Sequence, residues 1–424
     1  MVVGTIIGAS IFVQPSEITA DMRSLGGVVV AWALAGLLTV AGAFLCAELA
    51  SAFPSSGGVY EFLRRAFSPA VGFLWGWSMF WVMHTGIIAA IAMVFARYVA
   101  YFFGLPQLGD AGLRLVAIGA IVVLSVVNYC GVALASGLQA AFTIAKLAAI
   151  VVILLLGFWA GARLPAHFVG SAEGAARWSG LGKAVGAGLF AFGGWHMVTY
   201  TAEETRDAGR TIPRALLVGT LVVVAVYVAL NTLYLYVLPL DRVIASRTIA
   251  ADVAAGVGGP GGGTVAALVA VSAFGAVAGI VLAGPRAYFS MARDGLLFRW
   301  LGDVHPRFGT PHRAIVLQGV WSVVLVATGT YRQLFSRVVY TEWVFFGAMA
   351  AGVLLLRRRA DYRPEYRAPG GALVPAVFAV CAALVAGAQI LGDVRGSASG
   401  LLLVGAGLPV YYVWGRVRQG APAA

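Results

Sequence analysis

Runs of apolar residues long enough to cross a bilayer recur from one end of this chain to the other, and no other feature limits its fold as tightly. A spanning helix needs about 20 such residues, because the hydrocarbon core is about 30 Å thick and a helix rises about 1.5 Å per residue. A coarse pass places twelve spans, at about 2–20, 26–52, 70–103, 112–132, 137–161, 184–202, 213–239, 263–292, 313–329, 336–356, 372–391 and 398–415. Hydrocarbon offers no water to satisfy the backbone, so these spans read as α-helices of one polytopic domain covering residues 1–424. Only 11% of residues are charged, against about 25% in soluble proteins. That is too little to cover a water-facing surface, which excludes a soluble enzyme, a disordered chain and a nucleic-acid-binding domain.

The net charge of +12 therefore reflects topology. The only lysines are Lys146 and Lys183, and the arginines cluster in particular loops. Arg64 and Arg65 lie between spans 2 and 3, Arg206, Arg210 and Arg214 between 6 and 7, and Arg286, Arg293, Arg299, Arg307 and Arg313 from the end of span 8 to the start of span 9. Arg357, Arg358, Arg359, Arg363 and Arg367 lie between 10 and 11, and Arg416 and Arg418 in the tail. All these segments share one face, which is expected to be cytoplasmic with both termini inside. The third run is long, so a tilted helix is expected there, and Pro213 is placed to start the seventh. Cys46, Cys130 and Cys381 sit in or beside apolar runs and read as packing, with no disulfide framework or metal site. No basic segment precedes the first apolar run, so no cleavable signal peptide is read.

Two spans are interrupted by glycine. The first reads Gly4-Thr5-Ile6-Ile7-Gly8-Ala9-Ser10-Ile11-Phe12, and the sixth reads Phe190-Ala191-Phe192-Gly193-Gly194-Trp195-His196. Such glycines serve close helix contact in many membrane proteins. Five spans separate these two, however, so they hold matching positions in two five-helix halves, about 1–161 and 184–356, followed by two helices at about 372–415. Five-helix units repeated with inverted topology, each opening on a broken helix, mark a class of secondary transporters. Unwound backbone at mid-membrane must line a cavity or bind something. Amides at a half-helix N-terminus suit a carboxylate, and carbonyls at the other end suit an ammonium or cation.

Gly4–Pro15, Ala47-Glu48-Leu49 and Ser56-Gly57-Gly58-Val59-Tyr60 resemble the amino acid–polyamine–organocation superfamily. Phe190–Trp195 followed by Glu203-Glu204 and Ile212-Pro213-Arg214-Ala215 is similar to its L-type amino acid transporter branch. The same holds for Phe142–Leu147 and for the stretch Arg286–His305. The resemblance runs in order over nearly the whole chain. It implies a LeuT-like fold and an α-amino acid held between helices 1 and 6. Carried over by position, it implies that the backbone of Ile7, Gly8, Ala9, Ser10 and Ile11 holds the substrate carboxylate. The segment of Phe190, Phe192 and Gly193 takes the ammonium, with Phe190 closing over the substrate. Trp195 matches a gate-side tryptophan and Tyr234 a helix-7 tyrosine near the site. The chain departs from the family at Gly8-Ala9-Ser10, where Gly-Ser-Gly is usual, and at Ala278 and Ile280, where polar residues are common. Only about seven residues precede the first break, where half a membrane needs about ten, so the start is expected to be misassigned or truncated.

Lys146 is the only lysine within a span. An intramembrane ammonium costs at least about 2.5–3.5 kcal/mol on insertion scales, which marks a functional group. In resembling transporters a helix-5 lysine stands where sodium-coupled relatives hold sodium, so sodium-independent transport is expected, with Lys146 serving the ion or proton coupling. Glu342 reads as a protonated acid, a counter-charge for a cationic substrate or an outer-face residue. Glu48, Glu203 and Glu204 are expected to pair with loop arginines at an inner gate, with solvated surface pairing as the rival. His196 reads equally as a bundle histidine or as a substrate or proton group; His84, beside Trp75, Trp77 and Trp81, reads as packing. No histidine pair has metal-ligand spacing and no nucleotide or hydrolase motif is present. No cofactor is expected, and a polytopic membrane enzyme lacks its cluster of acids, histidines or nucleophile. Within transport, a polyamine or organic-cation antiporter is the rival. Exchange, uniport and proton symport stay open. The loop FGLPQLGDAG (103–112) has no cysteine, so no disulfide-linked heavy subunit is expected; the resemblance is to a bacterial-type light subunit acting alone.

Overall fold

The computed structural model of the chain describes residues 2–54, 57–105, 108–131, 148, 150–155, 157–158, 177–257, 261–293 and 297–419. The described residues are built from helices, with no strand among them. Eight helices are long and apolar enough to cross a membrane: Leu25–Ala52, Pro69–Phe102, Gly109–Cys130, Ala208–Val237, Gly261–Arg286, Tyr331–Leu356, Leu373–Gly392 and Val394–Val413. Of the other expected spans, the first and sixth are the broken ones, and the ninth is the shorter helix His312–Thr328. Most of the fifth, including Lys146, lies outside the described residues.

Local chemistry sets the ends of these helices. Ser24 caps span 2 by accepting the Gly27 amide, which satisfies an end group that helix geometry leaves orphaned. Thr330 and Gln333 form a reciprocal capping box at the start of span 10. One expectation is corrected. Span 7 begins at Ala208, and Pro213 lies inside the helix; hydropathy marked where the apolar stretch starts, whereas the helix extends beyond it. The long third run is one helix carrying a π-helical segment at Met79–His84, an insertion that often accompanies function. Two short helices, Leu240–Ala245 and Ile249–Gly256, follow span 7. The second is largely buried, although the sequence offered no span there.

Extensive packings join span 2 to span 7, span 3 to span 8 and span 10 to span 11. The N-terminal half of span 1 packs on span 7 and on the second half of span 6. This brings the two broken helices together in the interior.

Candidate functional site

The first span is helical at Val2–Ile6, opens at Ile7 and Gly8, makes a tight turn at Ala9–Phe12 and resumes as Gln14–Met22. The sixth is helical at Leu181–Ala191, opens at Phe192–Gly194 and continues as the tighter helix Trp195–Glu204. The two openings touch. Gly194 has φ +93°, and a Cβ on it would lie 2.7 Å from the Thr5 carbonyl oxygen. Only glycine holds that conformation without strain and lets the two backbones approach so closely.

One side chain joins both openings. The Tyr227 hydroxyl, fully buried on span 7, lies 3.2 Å from the Ile6 carbonyl and 3.0 Å from that of Ala191. Each carbonyl stands at the edge of an opening, where helix geometry leaves acceptors unpaired. Tyr98 on span 3 does similar work further along, donating to the Phe12 carbonyl at 2.7 Å. Sequence reading passed over both tyrosines. The signal was a polar tip on a ring within an apolar helix, which needs a partner when buried.

The expected substrate-segment residues Ile7, Ala9, Ser10, Ile11, Phe190 and Phe192 are buried around this junction. Within 6–13 only Gly8 is partly exposed, and within 189–196 only Gly193. A Cβ at Gly8 would make only ordinary contacts, the nearest the Ser10 hydroxyl at 3.7 Å, so the first opening tolerates a small side chain there. The Phe192 ring packs on Tyr227 and Trp32, with centroids 4.9 and 5.8 Å away; its main chain, not its ring, belongs to the opening. Tyr234 is buried two turns beyond Tyr227, and its hydroxyl has no partner among the described residues.

Aromatic rings close the junction on both sides. Phe190 meets Phe335 at 5.5 Å, and Phe335 meets Tyr331 at 5.4 Å. Tyr331 lines a cavity of about 400 Å³ together with Ser16, Glu17, Met93, Arg97 and Arg332, on the face opposite the arginine-rich loops. Below the opening, Trp195 packs on Phe346 at 4.9 Å. His196 is enclosed by Trp75, Trp195, Tyr200 and Phe346, and its Nδ1 has no partner among the described residues. Glu342 is buried in the middle stretch of span 10, so the outer-face reading is corrected: its position faces protein, not solvent.

Two ionic clusters lie at opposite ends. Arg332, at the start of span 10, bonds Glu17 at 2.6 Å and Asp21 at 3.0 Å on span 1. At the arginine-rich end the buried Glu48 carboxylate accepts from Arg357, from the Tyr362 hydroxyl at 3.2 Å and from the Ala368 amide at 2.8 Å. Burial, reinforced by that carboxylate, holds the Tyr362 phenol well above its ordinary value. The loop-arginine partner expected for Glu48 is present, and its burial excludes a solvated surface pair. The side chains of Glu203 and Glu204 lie outside the described ones. Cys46 is buried, Cys130 exposed and Cys381 half-buried, and all three are free thiols. No group of histidine, cysteine or carboxylate side chains able to hold a metal occurs among the described residues.

Two broken helices that meet among aromatic rings, within a bundle of membrane-length helices, define a polytopic membrane protein. The amino acid permease family model matches residues 1–411, and the chain belongs to that family. It is 30% identical over 417 residues to the serine/threonine exchanger SteT of Bacillus subtilis (strain 168), covering 97% of this chain and 94% of that one. It is also 30% identical over 374 residues to the mouse b(0,+)-type amino acid transporter 1, covering 87% and 77%. Against the human cystine/glutamate transporter it is 26% identical over 421 residues, covering 98% and 83%.

Proposed function

We propose that this chain is a secondary transporter, not an enzyme, that carries L-α-amino acids across the cytoplasmic membrane by alternating access. The observation that carries the reading is the junction itself: two helix openings share Tyr227, and Gly8 and Gly193 within them keep partial exposure while their neighbours are buried. Backbone amides of 7–11 and carbonyls of 190–193 supply both charges that an α-amino acid needs matched. The packing of span 2 on 7 and of span 3 on 8 supports two inverted repeats, because helices related by a two-fold axis meet their equivalents beside it. The names of the relatives, which include a serine/threonine exchanger and a cystine/glutamate transporter, agree with an amino acid as cargo.

In this reading both termini face the cytoplasm, Lys146 replaces sodium, and the chain works without a disulfide-linked partner. The test is counterflow in proteoliposomes holding the purified chain alone, with each amino acid and a set of polyamines, with and without sodium. Amino acid exchange without sodium is expected. Gly193→Trp, which fills the opening, abolishes it at equal expression, and Lys146→Ala slows it. Strict sodium dependence, undiminished uptake by Gly193→Trp, or activity only after adding a second chain refutes the corresponding part. Preferential polyamine exchange favours the rival reading.

A further inference from the structure

Glu342 has no role in the junction as described, yet its position is set by its neighbours. Positions 335, 342 and 346 lie on one face of span 10, at steps of seven and four residues. Phe335 touches Phe190, just before the opening in span 6. Phe346 touches Trp195 and His196, just after it. Glu342 stands between these contacts, so its carboxyl is presented at the level of Phe192–Gly194, where span 6 has no regular helix.

Among the described residues no fixed positive charge acts on it. Tyr200 on span 6 lies within electrostatic reach of Glu342 and of Cys46 on span 2, and His196, beside Tyr200, lies within reach of His84 on span 3. Arg337 on the same helix is directed toward Tyr340. No ion pair or hydrogen bond to the Glu342 carboxyl occurs among the described residues. An ionised carboxylate buried without a partner is costly, whereas a neutral carboxyl is tolerated. The sealed site thus favours the protonated acid, and an opening that admits water favours release of the proton.

We propose that Glu342 is a proton-binding site that couples proton movement to the opening and closing of span 6 beside it. This inference rests on the transporter reading and refines it to proton symport. The carboxylate takes one proton on the side where water reaches it, crosses the sealed state as the neutral acid, and loses that proton on the other side. No other bond changes. Because the site adjoins the segment expected to close on the substrate, loading one favours the state that loads the other.

The experiment uses proteoliposomes with a trapped pH-sensitive dye, driven by an equimolar mixture of the proteinogenic L-amino acids. In the wild-type protein, amino acid entry acidifies the lumen, and an inward proton gradient drives accumulation. Glu342→Gln keeps the neutral shape: counterflow survives, while acidification and gradient-driven accumulation fall to background. Glu342→Asp keeps a carboxyl and retains proton movement. Counterflow without acidification in the wild-type protein, or full acidification by Glu342→Gln, overturns the proposal. So does a Gln variant that loses only cationic amino acids, which makes Glu342 a counter-charge for substrate. Absence of wild-type counterflow refutes the transporter reading itself.

Discussion

The two ionic clusters at opposite ends of span 10 are built from the same residue types and differ in water. At the arginine-rich end the Glu48 side chain is 0% exposed and Arg357 only 14%. At the other end Arg332 is 40% exposed, Glu17 21% and Asp21 15%, beside the open cavity. A desolvated pair holds because neither charge has water as an alternative to its protein partners. A wetted pair has water as an alternative and exchanges readily. The partners differ too. Glu48 ties span 2 to the loop that follows span 10, whereas Arg332 ties span 10 to the broken first span. The desolvated bond therefore ties unbroken helices, and the wetted, readily exchanged one holds the broken first span.

The largest expected effect comes from emptying the buried cluster. Glu48→Ala leaves the buried Arg357 without its counter-charge, with only the Gly371 and Ala368 carbonyls to accept from it, and costs about 3–5 kcal/mol, read as loss of monodisperse protein in detergent and a lower midpoint of thermal unfolding. Replacing both Glu48 and Arg357 with methionine recovers most of that loss; if the double variant is no better than the single, the account of uncompensated charge is wrong. At the other end, Arg332→Gln changes stability by about 0.2–1 kcal/mol for each wetted pair it removes. Its distinctive effect is faster labelling of a cysteine at Ser16, in the cavity, by a membrane-impermeant thiol reagent. Unchanged labelling breaks the assignment of this pair as a reversible closure.

Salt separates the clusters more finely. Raising ionic strength from about 0.01 to 1 M shortens the screening length from about 30 to 3 Å, so labelling at Ser16→Cys rises while the unfolding midpoint set by Glu48 stays nearly constant. The smallest effect concerns Glu61 in the loop helix Val59–Ala66, beside the buried cluster in sequence order. Burial raises its carboxyl, but hydrogen bonds from Arg64 and Arg65 outweigh this and hold it below the ordinary value of 4.5. Its contribution is therefore complete above that value and fades as acid protonates the folded form. Protease sensitivity of this helix is expected to increase only under such acidic conditions. An increase near neutral pH contradicts the assignment.

Much of the site was legible before any fold was known. Glycine spacing located both openings, because two glycine-rich interruptions five spans apart hold matching positions in the two halves. The carboxylate of Glu48 was legible as a partner for loop arginine, but the choice of Arg357 and of Tyr362 was not. Those residues lie more than 300 positions away in the chain, and nothing local encodes that distance. Tyr227 shows the same limit. Its sequence context resembles that of Tyr234 seven residues on, and only the packing of span 7 against both broken helices gives one hydroxyl two carbonyls and leaves the other unpaired.

The sequence by itself determined the environment, the helical class, the face that carries the arginines and the two weak points in the backbone. Those follow from local composition, because hydrocarbon penalises every uncompensated charge and every unsatisfied backbone group wherever in the chain it falls. The tertiary structure decided which polar groups meet across the bundle. It buried Glu48 with its donors, left Arg332 wet and set Glu342 opposite the opening in span 6. A side chain's surroundings depend on helices distant in sequence, so burial and partnership cannot be read from the residue's own segment.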